Sequence, residues 1–551
     1  MKTTNKTLIA ALIQLTLAGA AQADTAQVSS VGDVQRNIEQ NRFGQPPAGS
    51  EEKAVQTAPQ GDMTRTAISK LVRVEVEGNI ERKKIQNYFS DMIGKPVTEA
   101  QLDSFNGWVW GVITRSGYLA YASTSQQQEG DGSVLRVNVL QPTVRTLRVA
   151  AENESVSRRY EKLLISRFSD VVLPGKPLDL QYLENRIASA NFDLPIDIHA
   201  SIQQSDPGKV DLVLHVKEVP PELGKFAGGF LQGNNYGLRQ YGRAQMLGSV
   251  AFGGFTPFSE LTLTGLAADG IGFTRAEYEF PTETLKGKVR LWGSYTESRS
   301  VLDQVTDTRG RTSEYGASLT NVIGTTRDAV FKSRLELMTR NTTSSLVIGG
   351  LQLENLRDDK ARLAFSADND ALSLDHYRYE LSFTSGRYST MGSYNKQELS
   401  GQVERTLSDD GKWLGSVRFH GQLASTNLDS YDKISLGGVN GVRAYSTDDG
   451  VGDEGLVLSL DLIKHFGNNQ YVGVFYDAGV VKPNRNAVAG AFNNSYTLQG
   501  AGVEFGGRLY KALSYSLTVA KGLGPYAGYV DGNIESSPRN LRFLFAVSNQ
   551  F

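Results

Sequence analysis

The side chain best equipped for specific chemistry is Arg443, in the run Leu436-Gly437-Gly438-Val439-Asn440-Gly441-Val442-Arg443-Ala444-Tyr445. A guanidinium offers a planar fork of donors, so it fixes a carboxylate in one geometry where a lysine supplies only a point charge. Two later segments supply carboxylates. In Tyr471-Val472-Gly473-Val474-Phe475-Tyr476-Asp477-Ala478-Gly479 a period of two puts Val472, Val474 and Tyr476 on one face of a strand and Gly473, Phe475, Asp477 and Gly479 on the other. In Gly500-Ala501-Gly502-Val503-Glu504-Phe505-Gly506 the apolar residues oppose Gly500, Gly502, Glu504 and Gly506. Glycine inside a strand often marks close approach by another backbone. The expectation is that the stretch around Arg443 folds against these strands, with Arg443 paired to Asp477 and also reaching Glu504. In a soluble protein the same stretch would read as an ordinary turn.

Other chemistry finds little support. His199, His215, His376, His420 and His465 show no metal-ligand spacing, and neither a GxSxG elbow nor a GxxxxGK[ST] phosphate loop occurs. Gly522-Leu523-Gly524 sits at a strand end without the helix that dinucleotide binding needs. No catalytic residue, metal or cofactor is expected. The absence of cysteine excludes disulfides and thiolate metal sites. A formal net charge of -2 gives no reason to expect a nucleic-acid partner.

Val442-Arg443-Ala444-Tyr445 resembles the VRGY/F signature in the long lid loop of POTRA-containing outer-membrane barrels, departing at Ala444, where glycine is usual. Phe475-Tyr476-Asp477-Ala478-Gly479 is similar to the FxDxG strand motif of the same proteins, carried by Phe475, Asp477 and Gly479. Together they resemble the transporters of two-partner secretion, the exporters of filamentous haemagglutinin and haemolysin. The resemblance implies an outer-membrane translocator that binds a large unfolded exoprotein through its POTRA domains and passes it through the barrel to fold at the cell surface. Two other classes share part of the pattern. A barrel-assembly insertase would carry the same loop and strand motif, generally with more POTRA units, and a passive porin or uptake channel would leave such units idle.

The elements that must hold these residues are strands. From Glu222 to Phe551 short alternating segments recur, and at about 20 residues per strand and connection they make an antiparallel transmembrane β-barrel of about 16 strands, eleven before the Arg443 stretch and five after. Leu456, Leu458, Leu460 and Leu462 alternate with Val457, Ser459, Asp461 and Ile463, and Leu513 to Ala520 does likewise. Leu541, Phe543, Phe545, Val547 and Phe551 share one face. Phe543, Phe545 and Phe551 resemble the signal read by the bacterial barrel-assembly machinery, which would be a partner during biogenesis, as lipid of the outer membrane would be afterwards.

Two modules of similar pattern precede the barrel. Lys70 to Val76, Glu81 to Met92, Thr98 to Ser116, Ala120 to Gln127 and Val134 to Leu140 read as βααββ, and residues 144–216 repeat the order. They look like tandem POTRA domains, over 67–141 and 142–219, placed in the periplasm. Ahead of them, Lys2 and Lys6 precede the apolar run Leu8 to Ala21, and Ala21-Gln22-Ala23 offers an A-x-A cleavage site, giving a signal peptide over 1–23. That run is shorter than the ~20 residues a spanning helix needs. Residues 24–66 are polar, with a short helix expected near 32–41 and a proline- and glycine-rich linker after it. The family resemblance implies that this helix plugs the barrel.

Overall fold

The computed structural model describes most of residues 64–551; the longest stretches outside the description are 302–307, 369–375, 488–493 and 524–540. The cleavage residues Ala21 and Ala23, the helix expected near 32–41 and nearly all of the linker lie outside the described residues. The chain divides into two compact units.

The first unit holds two small α/β sheets. β1 (Leu71–Glu77), α1 (Arg82–Asn87), α2 (Glu99–Arg115), β2 (Tyr121–Glu129) and β3 (Gly132–Leu140) form a three-stranded sheet in the order β1-β3-β2, with β1 parallel and β2 antiparallel to β3. Leu71, Val74 and Val76 point inward onto Ile85, Leu102, Phe105 and Val109, all buried, with a register irregularity between Leu71 and Arg73 resetting the alternation. The helix expected over 81–92 stops at Asn87 and resumes only as a single 3-10 turn at Ser90–Met92. Asn, Ser and Asp compete with helical bonding through their own side chains, which disfavours a continuous helix there.

β4 (Thr143–Ala151), α3 (Glu154–Phe168), α4 (Leu180–Asp193), β5 (Ile196–Asp206) and β6 (Lys209–Glu218) repeat the order, with the sheet running β4-β6-β5. α4 begins at Leu180 because the Asp179 carboxylate caps it, accepting from Tyr182 N at 3.0 Å. On β6, Asp211 receives a forked pair of bonds from Arg145 at 3.0 and 2.7 Å. That guanidinium holds the Asp211 carboxyl down at about 2.

The second unit is a closed antiparallel barrel of sixteen strands. Eleven precede the Arg443 stretch: β7 (Phe226–Asn234), β8 (Gln245–Gly253), β9 (Glu260–Ala268), β10 (Ile271–Thr282), β11 (Gly287–Arg299), β12 (Thr308–Thr326), β13 (Ala329–Leu346), β14 (Gln352–Asp368), β15 (His376–Tyr388), β16 (Gly392–Thr406) and β17 (Trp413–Ala424). Two short strands, β18 (Ile434–Ser435) and β19 (Val451–Gly452), pair with each other within the connection. Five barrel strands then complete the ring: β20 (Glu454–Phe466), β21 (Gln470–Lys482), β22 (Tyr496–Arg508), β23 (Leu513–Gly522) and β24 (Leu541–Gln550).

Alternation decides which side of the wall each residue takes. Leu456, Leu458, Leu460 and Leu462 are exposed on the outside, while Val457 and Ser459 are buried and Asp461 is held inside. An apolar outer face and a polar inner one is the arrangement a barrel needs in lipid. Among the described residues no helix is long and apolar enough to cross a membrane, which says nothing of crossing by strands.

Candidate lid loop and its lumen anchor

The connection from β17 to β20 follows the eleventh of sixteen antiparallel strands, so it leaves the barrel at the end opposite the first strand's start. It then turns back inside. Its side chains touch inward-facing residues of β13 to β16 on one arc of the wall and of β20 to β23 on another, which only a segment in the lumen can do. Closed by the β18–β19 pair, the loop seats Leu436, Val442 and Tyr445 against Val457, Phe475, Leu498 and Ala520, all buried. Each large apolar side chain taken from water in this way contributes about 1.5 to 3 kcal/mol.

Strand register sets out the wall beneath it. Asp461 stands opposite Phe475, which stands opposite Gly502, while Ser459, Asp477 and Gly500 form the neighbouring row. A Cβ at Gly502 would lie 2.5 Å from the Phe475 ring, and one at Gly500 would lie 2.7 Å from the Ala444 Cβ. These two glycines therefore make room for a ring and for the loop. Substituting Gly500 by leucine should unseat the loop while leaving every charge in place. The expected result is a closed, heat-modifiable barrel that conducts ions more readily in a planar bilayer, and unchanged conductance would show that the close approach at Gly500 is dispensable.

Arg443 is 2% exposed and fully engaged. Nη2 donates to Asp477 Oδ1 at 2.8 Å, and Nε and the backbone N of Arg443 both donate to Asp477 Oδ2 at 3.0 Å. Nη1 lies 2.7 Å from Asp461 Oδ1 and 3.5 Å from Glu504 Oε2. Asp477 is completely buried, and its two oxygens are met by the fork together with a main-chain amide, the bidentate geometry that favours arginine over lysine. The guanidinium carbon also sits 3.5 Å from the centroid of the Phe475 ring, and a desolvated cation–π contact of this kind is worth about 2 kcal/mol.

The structure thus brings together Arg443, Asp477, Phe475 and Glu504, with Glu504 as the weaker partner at 3.5 Å. Asp461 is a further partner of Arg443 that the sequence alone does not single out, although the Leu456-to-Leu462 alternation places it on the inner face. Ala444 is not among the described non-glycine residues with positive φ, so alanine fits at this point of the loop without strain. Val442 and Tyr445 anchor the motif in the loop's apolar core, and Gly479 meets Leu436.

Phe543 and Phe545 face outward on β24, and Phe551 lies beyond it, 57% exposed. The Phe551 backbone exchanges bonds with Gly229 on β7 at 2.8 and 3.0 Å, and its ring stacks on Phe226 with centroids 5.9 Å apart.

A closed sixteen-strand barrel, apolar outside, with a long loop latched in its lumen by a buried arginine, defines the class of outer-membrane β-barrels. Residues 218–507 match the family described as haemolysin secretion/activation protein ShlB/FhaC/HecB. The chain belongs to this family: it is an outer-membrane translocator of two-partner secretion, its partner is a secreted exoprotein, and the family is one of transporters and not of enzymes. The match favours neither a barrel-assembly insertase nor a passive porin. The fold is similar to that of CdiB from Escherichia coli, at 17% identity and a TM-score of 0.65 over 97% of this chain and 99% of that one. It is likewise similar to CdiB from Acinetobacter baumannii, at 13% identity and a TM-score of 0.67 over 96% and 99%. Comparison with curated proteins returned no match.

Proposed function

We propose that the two βααββ modules are POTRA domains in the periplasm that capture the unfolded exoprotein as an added strand, and that the loop carrying Arg443 is the lid the exoprotein must pass. The observation that carries the lid is the lumen-filling loop itself, pinned to Asp477 by three hydrogen bonds. A channel so occupied has to rearrange before an extended polypeptide can cross it.

Strand addition suits the modules because each sheet ends in an outer strand, β2 in the first and β5 in the second, that pairs with another strand of its sheet on one side only. The β2 edge already bonds main-chain groups of Thr64. Thr64 N donates to Thr124 O at 3.1 Å, and Asn106 Nδ2 of the adjacent α2 donates to Thr64 O at 3.1 Å. Main-chain recognition tolerates many sequences, as capture of a long unfolded chain requires. The segment expected to form a helix near 32–41 is assigned as a plug of the same lumen, residues 1–23 as the signal peptide cleaved after Ala23, and Phe543, Phe545 and Phe551 as part of the signal read during assembly.

Secretion is the direct test. Co-expressed with its secreted exoprotein partner, this chain should be required for that protein to reach the medium. Retention of the partner in the periplasm beside a correctly inserted barrel would reject the pairing.

A further inference from the structure

A second ionic cluster holds the other end of the lid loop, and its polarity is reversed. Between β17 and β18, the single turn Ser430–Asp432 puts Asp432, 3% exposed, against the inner faces of β13 to β16. The Asp432 carboxylate receives Arg340 Nη2 at 2.7 Å, Lys360 Nζ at 2.7 Å and the Tyr388 hydroxyl at 3.0 Å. Asp429 accepts a longer bond from Arg340 at 3.4 Å, and the Tyr431 ring lies over the Arg340 guanidinium at 4.4 Å. At Arg443 the loop supplies the cation and the wall the carboxylates. Here the loop supplies the carboxylates and the wall the cations.

We propose that Asp432 with Arg340 and Lys360 forms a second latch, so that the lid is released only when two buried ionic clusters of opposite polarity, on separate arcs of the wall, are both broken. Asp432 and Arg340 are positioning residues, acting on transport through the loop they hold.

The wall cluster is built to lose its loop partner. Asp358, on β14 and fully buried, contacts both Arg340 and Lys360 at 3.0 Å and accepts from the Tyr394 hydroxyl, whose ring stacks on Tyr388 at 4.3 Å. When Asp429 and Asp432 leave, the two cations keep Asp358 beside them, with Glu314 lining the same cavity. Elsewhere on the wall, Asp461 keeps Arg418 at 3.3 Å when Arg443 leaves. Withdrawal of the loop therefore frees Arg340 and Lys360 on one arc of the channel and Asp461 and Asp477 on another from their loop partners. An extended polypeptide carrying both kinds of charge can slide past that pair of surfaces without being held by either alone.

The inference rests on the reading of this loop as a lid, and the test separates the two. The chain has no cysteine, so Ser446→Cys, at a loop position 3% exposed, gives one thiol that a membrane-impermeant maleimide reaches only when the loop is unseated. In outer membranes, with heat-modifiable migration confirming an assembled barrel, Asp432→Asn should speed labelling at least about tenfold, the scale of one lost charge-assisted hydrogen bond. Arg443→Ala should do the same, and the double variant should exceed either. Faster labelling in Arg443→Ala with no change in Asp432→Asn would overturn the second latch and leave the lid intact. No change in either would overturn the lid and the latch with it. Should Asp432→Asn fail to assemble, Lys360→Met on the wall decides by the same comparison, with a smaller rise expected because Arg340 remains.

Discussion

Replacing Arg443 by alanine will cut secretion much further than it cuts the amount of barrel in the outer membrane. Removal leaves Asp477, wholly buried, with only the Arg443 main-chain amide of the three donors it receives from that residue, and takes from Asp461 its nearest cation at 2.7 Å. Deleting one partner of a buried pair typically costs about 3 to 5 kcal/mol, because the other charge is left desolvated. That cost falls on the seated loop and spares the ladder bonds that close the sixteen strands. Unlike alanine, lysine at 443 would keep the charge but lose the two-pronged geometry, so Arg443→Lys should fall between the wild type and Arg443→Ala. Secreted partner in the medium, normalised to heat-modifiable barrel in the membrane, is the quantity to measure. Equal losses of both would turn the arginine into an assembly residue.

Deleting Phe551 will lower the amount of folded barrel itself. The seam between β24 and β7 has five registered pairs, from Ala546–Asn234 to Gln550–Phe230, fewer than any other described junction in the barrel. Phe551 extends that ladder by two backbone bonds with Gly229 and by its stack on Phe226. At about 1 kcal/mol for each bond and 0.5 to 1.5 kcal/mol for the aromatic pair, roughly 2 to 4 kcal/mol is removed from this short seam. Toward the other end of β24 the Asn235 side chain stands in for a strand partner, donating to Phe543 O and accepting from Phe545 N, both at 2.9 Å. That replacement leaves little reserve. Fractionated outer membranes probed with and without heating would show the loss, and wild-type levels of heat-modifiable protein would show that the seam closes without Phe551.

Local pattern in the sequence was enough for the barrel, because a period of two is a one-dimensional property. Leu456 to Leu462 and Val472 to Gly479 declare their inner and outer faces whatever their neighbours are, and the spacing of such segments is what gave eleven strands before the loop and five after. The partnership of Arg443 with Asp477 was legible for a related reason: a charge on the inner face of a lipid-facing strand needs a partner, and the glycines beside it advertise space. Tertiary structure decided the rest. The contact between Arg443 and Asp461 depends on the register of β20 against β21, which sets Asp461 across from Phe475. The Arg340–Asp432 cluster joins residues 92 apart in sequence, and no periodicity marks them out, since charged residues are ordinary on a barrel's inner face. Only the path of the loop through the lumen makes Asp432 their neighbour, and so makes a latch out of side chains that the sequence presents as unrelated.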